Sequence, residues 1–184
     1  LQMAELPGSD GIACGKVSDA PRFPYRGIMV DVSRHFRSPE FLKKQIDAMA
    51  KMKLNRMHLH LTDAAGWRME IDKYPRLTEF AAWRPEAKWQ DWADNGAKYC
   101  ESTRPGAYGG FYTKQQMRDL VKYATDRNIT IIPEIEVPGH SKEVTSAYPE
   151  LSCSGKPYLD EDLCIGKEKT FEFLEDVLTE VMDV

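Results

Sequence analysis

Three short apolar runs, each followed by helix-patterned sequence and each ending in polar residues, predict an α/β fold on parallel strands. The runs cover residues 27–32, 56–61 and 129–135. Two architectures fit such alternation, an open doubly wound sheet and a (β/α)8 TIM barrel. A doubly wound sheet would carry a glycine-rich turn after its first strand. Here that strand runs into Asp31-Val32-Ser33-Arg34-His35. A barrel places its chemistry on the loops after its strands. The clusters Asp31/Arg34/His35, His60/Asp63 and Glu134/Glu136/His140 stand in those places. The prediction is therefore a (β/α)8 barrel of which about the first three β/α units are present, over residues 21–184. Residues 1–20 read as a lead-in from a preceding domain or linker.

Each element has a local reason. Gly27 to Val32 is nearly all apolar, as in a strand buried on both faces. Ser38-Pro39-Glu40 supplies a cap, a proline at the first helical position and an acid in the first turn. Leu42, Ile46, Met49 and Ala50 follow at helical spacing, and Asn55 is the expected left-handed cap. From Arg56 to Leu61 the residues alternate, with Met57, Leu59 and Leu61 on one face and His58 and His60 on the other. Residues 64–112 show no helical period and hold all four tryptophans, Trp67, Trp83, Trp89 and Trp92. Connections of that length are usually functional. The tryptophans read as sugar-stacking platforms or, more commonly for Trp, as core of a loop subdomain. Thr113 to Gln116 is a capping box, Met117, Leu120, Val121 and Ala124 form the next stripe, and Asn128 ends that helix. Ile129 to Ile135 is the third strand. Phe171, Leu174, Val177, Leu178 and Val181 open a last helix.

Composition excludes several classes. The 184 residues carry 25 Lys+Arg against 29 Asp+Glu, a net charge of −4. Without a basic excess to neutralise phosphates, a nucleic-acid partner is not expected. No apolar run reaches the roughly 18 residues of a membrane span. The four cysteines contain no C-x-x-C pair, which argues against zinc ribbons and thioredoxin-like sites. Four thiols, free or partly buried, are the simpler reading. The alternative is a Cys153–Cys164 bridge closing the loop between them, which would suit an oxidising compartment.

Three chemical readings follow from the residues. His58 and His60 share a strand face and, with Asp63 and His140, could ligate zinc in a metal-dependent hydrolase; the plainer reading of His58 is a hydrogen-bonded side chain. Asp63 and His140 end adjacent strands, where a carboxylate fixes an imidazole tautomer and raises its basicity, or forms a rim ion pair. Arg26, just before the first strand, reads on its own as a surface residue, although its planar fork could grip a hydroxyl. A non-catalytic carbohydrate-binding fragment is the third possibility.

Longer motifs narrow this. Arg26-Gly27-Ile28-Met29-Val30-Asp31-Val32-Ser33-Arg34-His35 resembles the opening strand of glycoside hydrolase family 20, the β-N-acetylhexosaminidases. His58-Leu59-His60-Leu61-Thr62-Asp63 with Gly66-Trp67-Arg68, and Gly109-Gly110-Phe111-Tyr112 with Ile132-Pro133-Glu134-Ile135-Glu136-Val137-Pro138-Gly139-His140, resemble its second and third units. The resemblance covers residues 21–155. It implies retaining cleavage of terminal β-linked N-acetylglucosamine or N-acetylgalactosamine, with the substrate's own acetamido oxygen as nucleophile and no cofactor. The family's usual Asp-Glu pair after the fourth strand is not in this sequence, so the general acid is expected beyond Val184. Carried over by the resemblance, Arg26 binds sugar hydroxyls, and Asp63 and His140 support the catalytic acid. Glu136 lies beside the acetamido-orienting Asp, and His60 is a buried neighbour. The sequence departs at Ala64-Ala65, where the family often has Asp-Gln. The expected partner is a glycan in the periplasm, outside the cell or in a lysosome. A three-strand fragment with an open edge is expected to self-associate.

Overall fold

Three parallel strands carry the architecture of the computed structural model, which describes residues 15, 16 and 18–184. They are β1 (Gly27–Asp31), β2 (Arg56–His60) and, later in the chain, β7 (Thr130–Glu134), in the order β1-β2-β7. The register is level: Gly27, Arg56 and Thr130 form the first rung, and Asp31, His60 and Glu134 the last. Side chains alternate along a strand, so the last rung and the middle rung, Met29/His58/Ile132, share a face. Met57 and Leu59 point the opposite way into the core and are fully buried.

Helices cover that buried face. The first, α1 (Pro39–Lys51), is capped by Ser38, whose Oγ accepts from the Phe41 N–H at 3.3 Å. It presents Leu42, Ile46 and Met49 to the core. Its left-handed stop is Lys53 (φ 57°), in place of the expected Asn55. The Asn55 side chain is engaged elsewhere, accepting from the Arg26 N–H and donating to the Pro24 carbonyl.

Between β2 and the next long helix the chain makes an excursion. The pair β3 (Thr62–Asp63) and β4 (Gly66–Trp67) forms a tight antiparallel hairpin. Then come α2 (Arg76–Glu79), β5 (Trp83–Arg84), α3 (Trp89–Asp94) and β6 (Tyr108–Gly109), which pairs with β5. From Trp67 to Ile71 the chain is held by that first hairpin and by one isolated bridge, Met69 to Tyr112. The tryptophans divide: Trp67 and Trp92 are buried, the latter in a small satellite cluster with Ala65, Ala97 and Tyr99, while Trp89 is exposed.

Beyond the excursion, α4 (Lys114–Thr125) begins with the expected capping box, Gln116 N–H to Thr113 Oγ1 at 3.1 Å and Thr113 N–H to Gln116 Oε1 at 2.9 Å. It packs beside α1 and ends at Asn128 (φ 58°). After β7 come α5 (Lys142–Ala147), a 3₁₀ turn over 149–151, and α6 (Glu168–Met182). Phe173 of α6 packs on Trp67 and Tyr74. Cys153 and Cys164 form a disulfide, against the reading of four thiols, and Cys100 is a free, buried thiol. Cys14, like residues 1–14 and 17 of the lead-in, lies outside the described residues. Of the rest of the lead-in, Asp19 pairs with Lys53 at 2.6 Å.

Candidate active site

Asp63 is the hub of the strand tips. Its carboxylate is almost fully buried and receives three groups: His60 Nε2 at 3.1 Å, Arg34 at 2.8 Å, and His140 Nδ1 at 3.2–3.3 Å. Each arrives by a different route. His60 ends β2, two residues before β3 carries Asp63. Arg34 lies on the loop after β1, where Asp31 caps the turn: its Oδ1 accepts the Ser33 and Arg34 N–H groups, and its Oδ2 holds the guanidinium at 2.6 Å. His140 follows β7 in the left-handed region (φ 54°), just ahead of Ser141, whose N–H and hydroxyl tie this bend to Glu161, Glu136 and Gly139.

The second carboxylate on His60 is Glu134, its neighbour in the last rung. Glu134 Oε2 lies 2.6 Å from His60 Nδ1 and 2.5 Å from His58 Nε2. His58 and His60 therefore do share a face, and both converge on Glu134. Both nitrogens of His60 face carboxylates. The Asp63 hydrogen bond, and after it Glu134, outweigh burial and push the His60 pKa up to about 9. His60 is thus an imidazolium at neutral pH. Burial alone would raise the Asp63 carboxyl, but His60, Arg34 and His140 hold it below its ordinary value. Glu136, beside Glu134, is pushed up, by burial first and then by its neighbour.

Among the described residues, one set of side chains has ligand atoms close enough to share an ion: His60, Glu134 and Glu136, within 4.8 Å of one another. A doubly bonded imidazolium has no lone pair to give. Of the four residues read as zinc ligands, only His60 belongs to that set, and its ring would have to lose a proton before it could ligate.

A group whose pKa is raised on folding stabilises the fold below its unfolded value, about 6.5, and that support is lost as pH rises through about 9. With allowance for the partly exposed Glu134, about 2 kcal/mol is at stake. The His60 ring protons are expected to keep their imidazolium shift by NMR up to about pH 8. Titration near 6.5 would show that the two carboxylates do not hold the proton.

The structure brings together Asp63, His140, His60 and Glu136 of the expected residues. It does not bring Arg26. That guanidinium donates to the Lys53 carbonyl at 2.8 Å and the Phe23 carbonyl at 2.7 Å, at the opposite end of β1. Five residues of strand separate it from the tips, roughly 16 Å. Arg34 is the arginine at the site, and Glu134 is the second residue that the motif reading passed over. Both were legible as members of polar clusters at the C-terminal ends of strands, where a barrel keeps its chemistry.

Behind the tips, two buried arginines fix the loops. Arg68 is fully buried and donates only to carbonyls: Val32, Ser33, Ala65, Ala82 and Gly110. Gly66 leaves room for it, because a Cβ there would lie 2.4 Å from the guanidinium. Arg84 donates to the carbonyls of Arg34, Ala65, Glu86 and Ala87. Tyr99 reaches Ala64 with its hydroxyl, so the departure at Ala64-Ala65 is filled by backbone contacts to the excursion.

Known proteins carry the same framework. Residues 23–184 match the sequence profile described as glycosyl hydrolase family 20, catalytic domain. The chain is similar to a β-hexosaminidase of Porphyromonas gingivalis, 45% identical over 90% of this chain and 20% of that protein. It is 39% identical to a β-hexosaminidase of Akkermansia muciniphila over 100% of this chain and 36% of the relative. Among solved structures, one described as a β-N-acetylhexosaminidase superposes with a TM-score of 0.80 at 39% identity, covering 100% of this chain and 38% of that one. An exo-β-N-acetylglucosaminidase of Vibrio harveyi in complex with N-acetylglucosamine gives 0.74 at 39% identity, covering 89% and 26%. The chain thus spans about a fifth to a third of the length of those curated relatives. With the profile matched over nearly all the described residues, the chain belongs to glycoside hydrolase family 20, a family of TIM-barrel enzymes.

Proposed function

We propose that these residues form the first three β/α units of the barrel of a retaining exo-β-N-acetylhexosaminidase that removes terminal β-linked N-acetylglucosamine or N-acetylgalactosamine. The observation that carries the reading is the single buried carboxylate of Asp63 shared by His60, Arg34 and His140. It fixes His140 through Nδ1. The other ring nitrogen, which has no hydrogen-bond partner among the described residues, is then free to meet a carboxylic acid supplied from elsewhere in the protein. Through His140, Asp63 steadies that acid as it gives its proton to the leaving oxygen and recovers one from water. Arg34, less enclosed than Asp63 and anchored by two carboxylates, is the guanidinium placed to bind sugar hydroxyls, in place of Arg26. The substrate's acetamido oxygen supplies the nucleophile, and the general acid stands outside these 184 residues.

Support for the surroundings is of the same kind. The Cys153–Cys164 disulfide suits an oxidising compartment, in keeping with a periplasmic, secreted or lysosomal glycosidase. Phe171, Leu178 and Met182 are exposed on α6, an apolar stripe through which the isolated chain would self-associate.

The test uses the full-length protein that contains this chain. It should hydrolyse an aryl β-N-acetylglucosaminide with retention and leave the matching glucoside, which lacks the acetamido group, essentially untouched. Arg34→Ala should raise KM about tenfold or more, the cost of a lost charge-assisted contact, and Arg26→Ala should not. Equal turnover of the glucoside would overturn the mechanism. Turnover by the 184-residue chain alone, abolished by Asp63→Ala, would overturn the placement of the acid.

A further inference from the structure

We infer that Glu143 is a positioning residue for this site: held as a neutral acid behind Asp63, it keeps α5 and His140 seated, and its ionisation sets the upper pH limit of activity. The inference rests on the proposed hexosaminidase reading and adds a regulatory group to it. Glu143 lies in the first turn of α5, three residues after His140. Its side chain is fully buried and neither carboxyl oxygen has a hydrogen-bond partner among the described residues. Ser146, one turn further along the same buried helix, has an unpartnered hydroxyl as well.

The groups that face Glu143 explain its state. From β3 comes Asp63, from the chain after β4 comes Arg68, and from the excursion comes Tyr99. None of them gives Glu143 a donor. Arg68 directs its hydrogen bonds to five carbonyls, and the Tyr99 hydroxyl is taken by Ala64. Burial pushes the Glu143 carboxyl up to about 8; the N–H dipoles of its own residue and of Val144, close to the carboxyl but outside hydrogen-bonding geometry, offset this in part, and the charge on Asp63 adds to it. Packing alone would be served better by an apolar side chain, since an unpartnered buried polar group costs free energy.

Loss of the proton changes the site in two ways. A second negative charge then stands behind Asp63 and weakens the charge balance with His60, Arg34 and His140. A bare carboxylate in a dry pocket also draws in water, and the route is through α5. That helix is tied to the His140 bend by Ser141, whose carbonyl accepts the Thr145 N–H at 2.9 Å. The pair that positions the catalytic acid is disturbed at its base.

The experiment compares wild type with Glu143→Gln, which keeps the shape of the neutral acid and cannot ionise, in the full-length protein. The kcat and kcat/KM profiles on an aryl β-N-acetylglucosaminide are measured from pH 5 to 10. Wild type is expected to lose kcat along an alkaline limb near 8, and the variant's limb is expected at least one pH unit higher. Linkage fixes a second readout. Glu143 has a raised pKa, so its support of the fold is complete below the ordinary value of 4.5 and is lost as pH rises through about 8. Wild-type stability in urea should fall across that window relative to Glu143→Gln. Superimposable limbs together with superimposable stability profiles overturn the inference. Should the variant not fold, the carbon-13 shift of the wild-type Glu143 carboxyl decides: titration near 8 supports the inference and titration near 4.5 overturns it. Absence of hydrolysis by wild type at every pH would instead refute the hexosaminidase reading, and the stability and NMR measurements would still read Glu143.

Discussion

Arg68→Met is expected to cost about 4 kcal/mol or more of folding stability, a large part of what a domain normally has. Among the described residues, no carboxylate pairs with this guanidinium. Its charge is solvated by the carbonyls of Val32, Ser33, Ala65, Ala82 and Gly110. Burial, with the charge of Arg84 second, lowers its pKa to about 10, which still leaves it cationic at neutral pH. Methionine fills the volume and orphans several buried acceptors at once, each costing about 1–3 kcal/mol. Lysine would not repair the loss, because its point charge lacks the planar fork that meets carbonyls from several directions. Urea denaturation at constant pH reads the difference. A loss under about 1 kcal/mol for Arg68→Met would mean that solvent or other donors replace it.

Under the proposed function, Asp63→Asn is expected to lower kcat of the full-length protein by about 10²–10³-fold while changing KM little. Three donors, two of them cationic, converge on this carboxylate. An amide brings no charge and turns an N–H₂ toward at least one donor. His60 also loses the first cause of its raised pKa, so its titration should move down toward 6.5 in the same variant. The two readouts together separate positioning from simple binding. A rise in KM at constant kcat would show that Asp63 grips substrate uniformly and does not prepare the proton transfer.

The long periodic segments were readable because local rules and tertiary contacts agree there. The caps at Ser38 and Thr113, the stripe of α1 and the two-faced alternation of β2 appear where the residues place them. The excursion was not readable. Its hairpins are two residues per strand, and α2 and α3 are too short to show a period. They are fixed by Arg68 and Arg84 gripping carbonyls far along the chain, which leaves no pattern in a short window. In the site, Asp63 and His140 were legible as residues at the ends of neighbouring strands. The motif points to Arg26 and not Arg34 because it gives an arginine's company without saying which end of the strand it occupies. Glu143 carried no signal, since an acid in the first turn of a helix ordinarily faces water.

The level register of β1, β2 and β7 has a consequence for how this chain tolerates change. Asp31, His60 and Glu134 stand abreast because the same number of residues leads up each strand from its first rung. One residue inserted in or deleted from any of the three would slide its tip along the ladder and turn that side chain to the opposite face. Length drift should therefore gather in the surface turns and be purged from fifteen strand positions, even those whose side chains lie far from the Asp63 cluster.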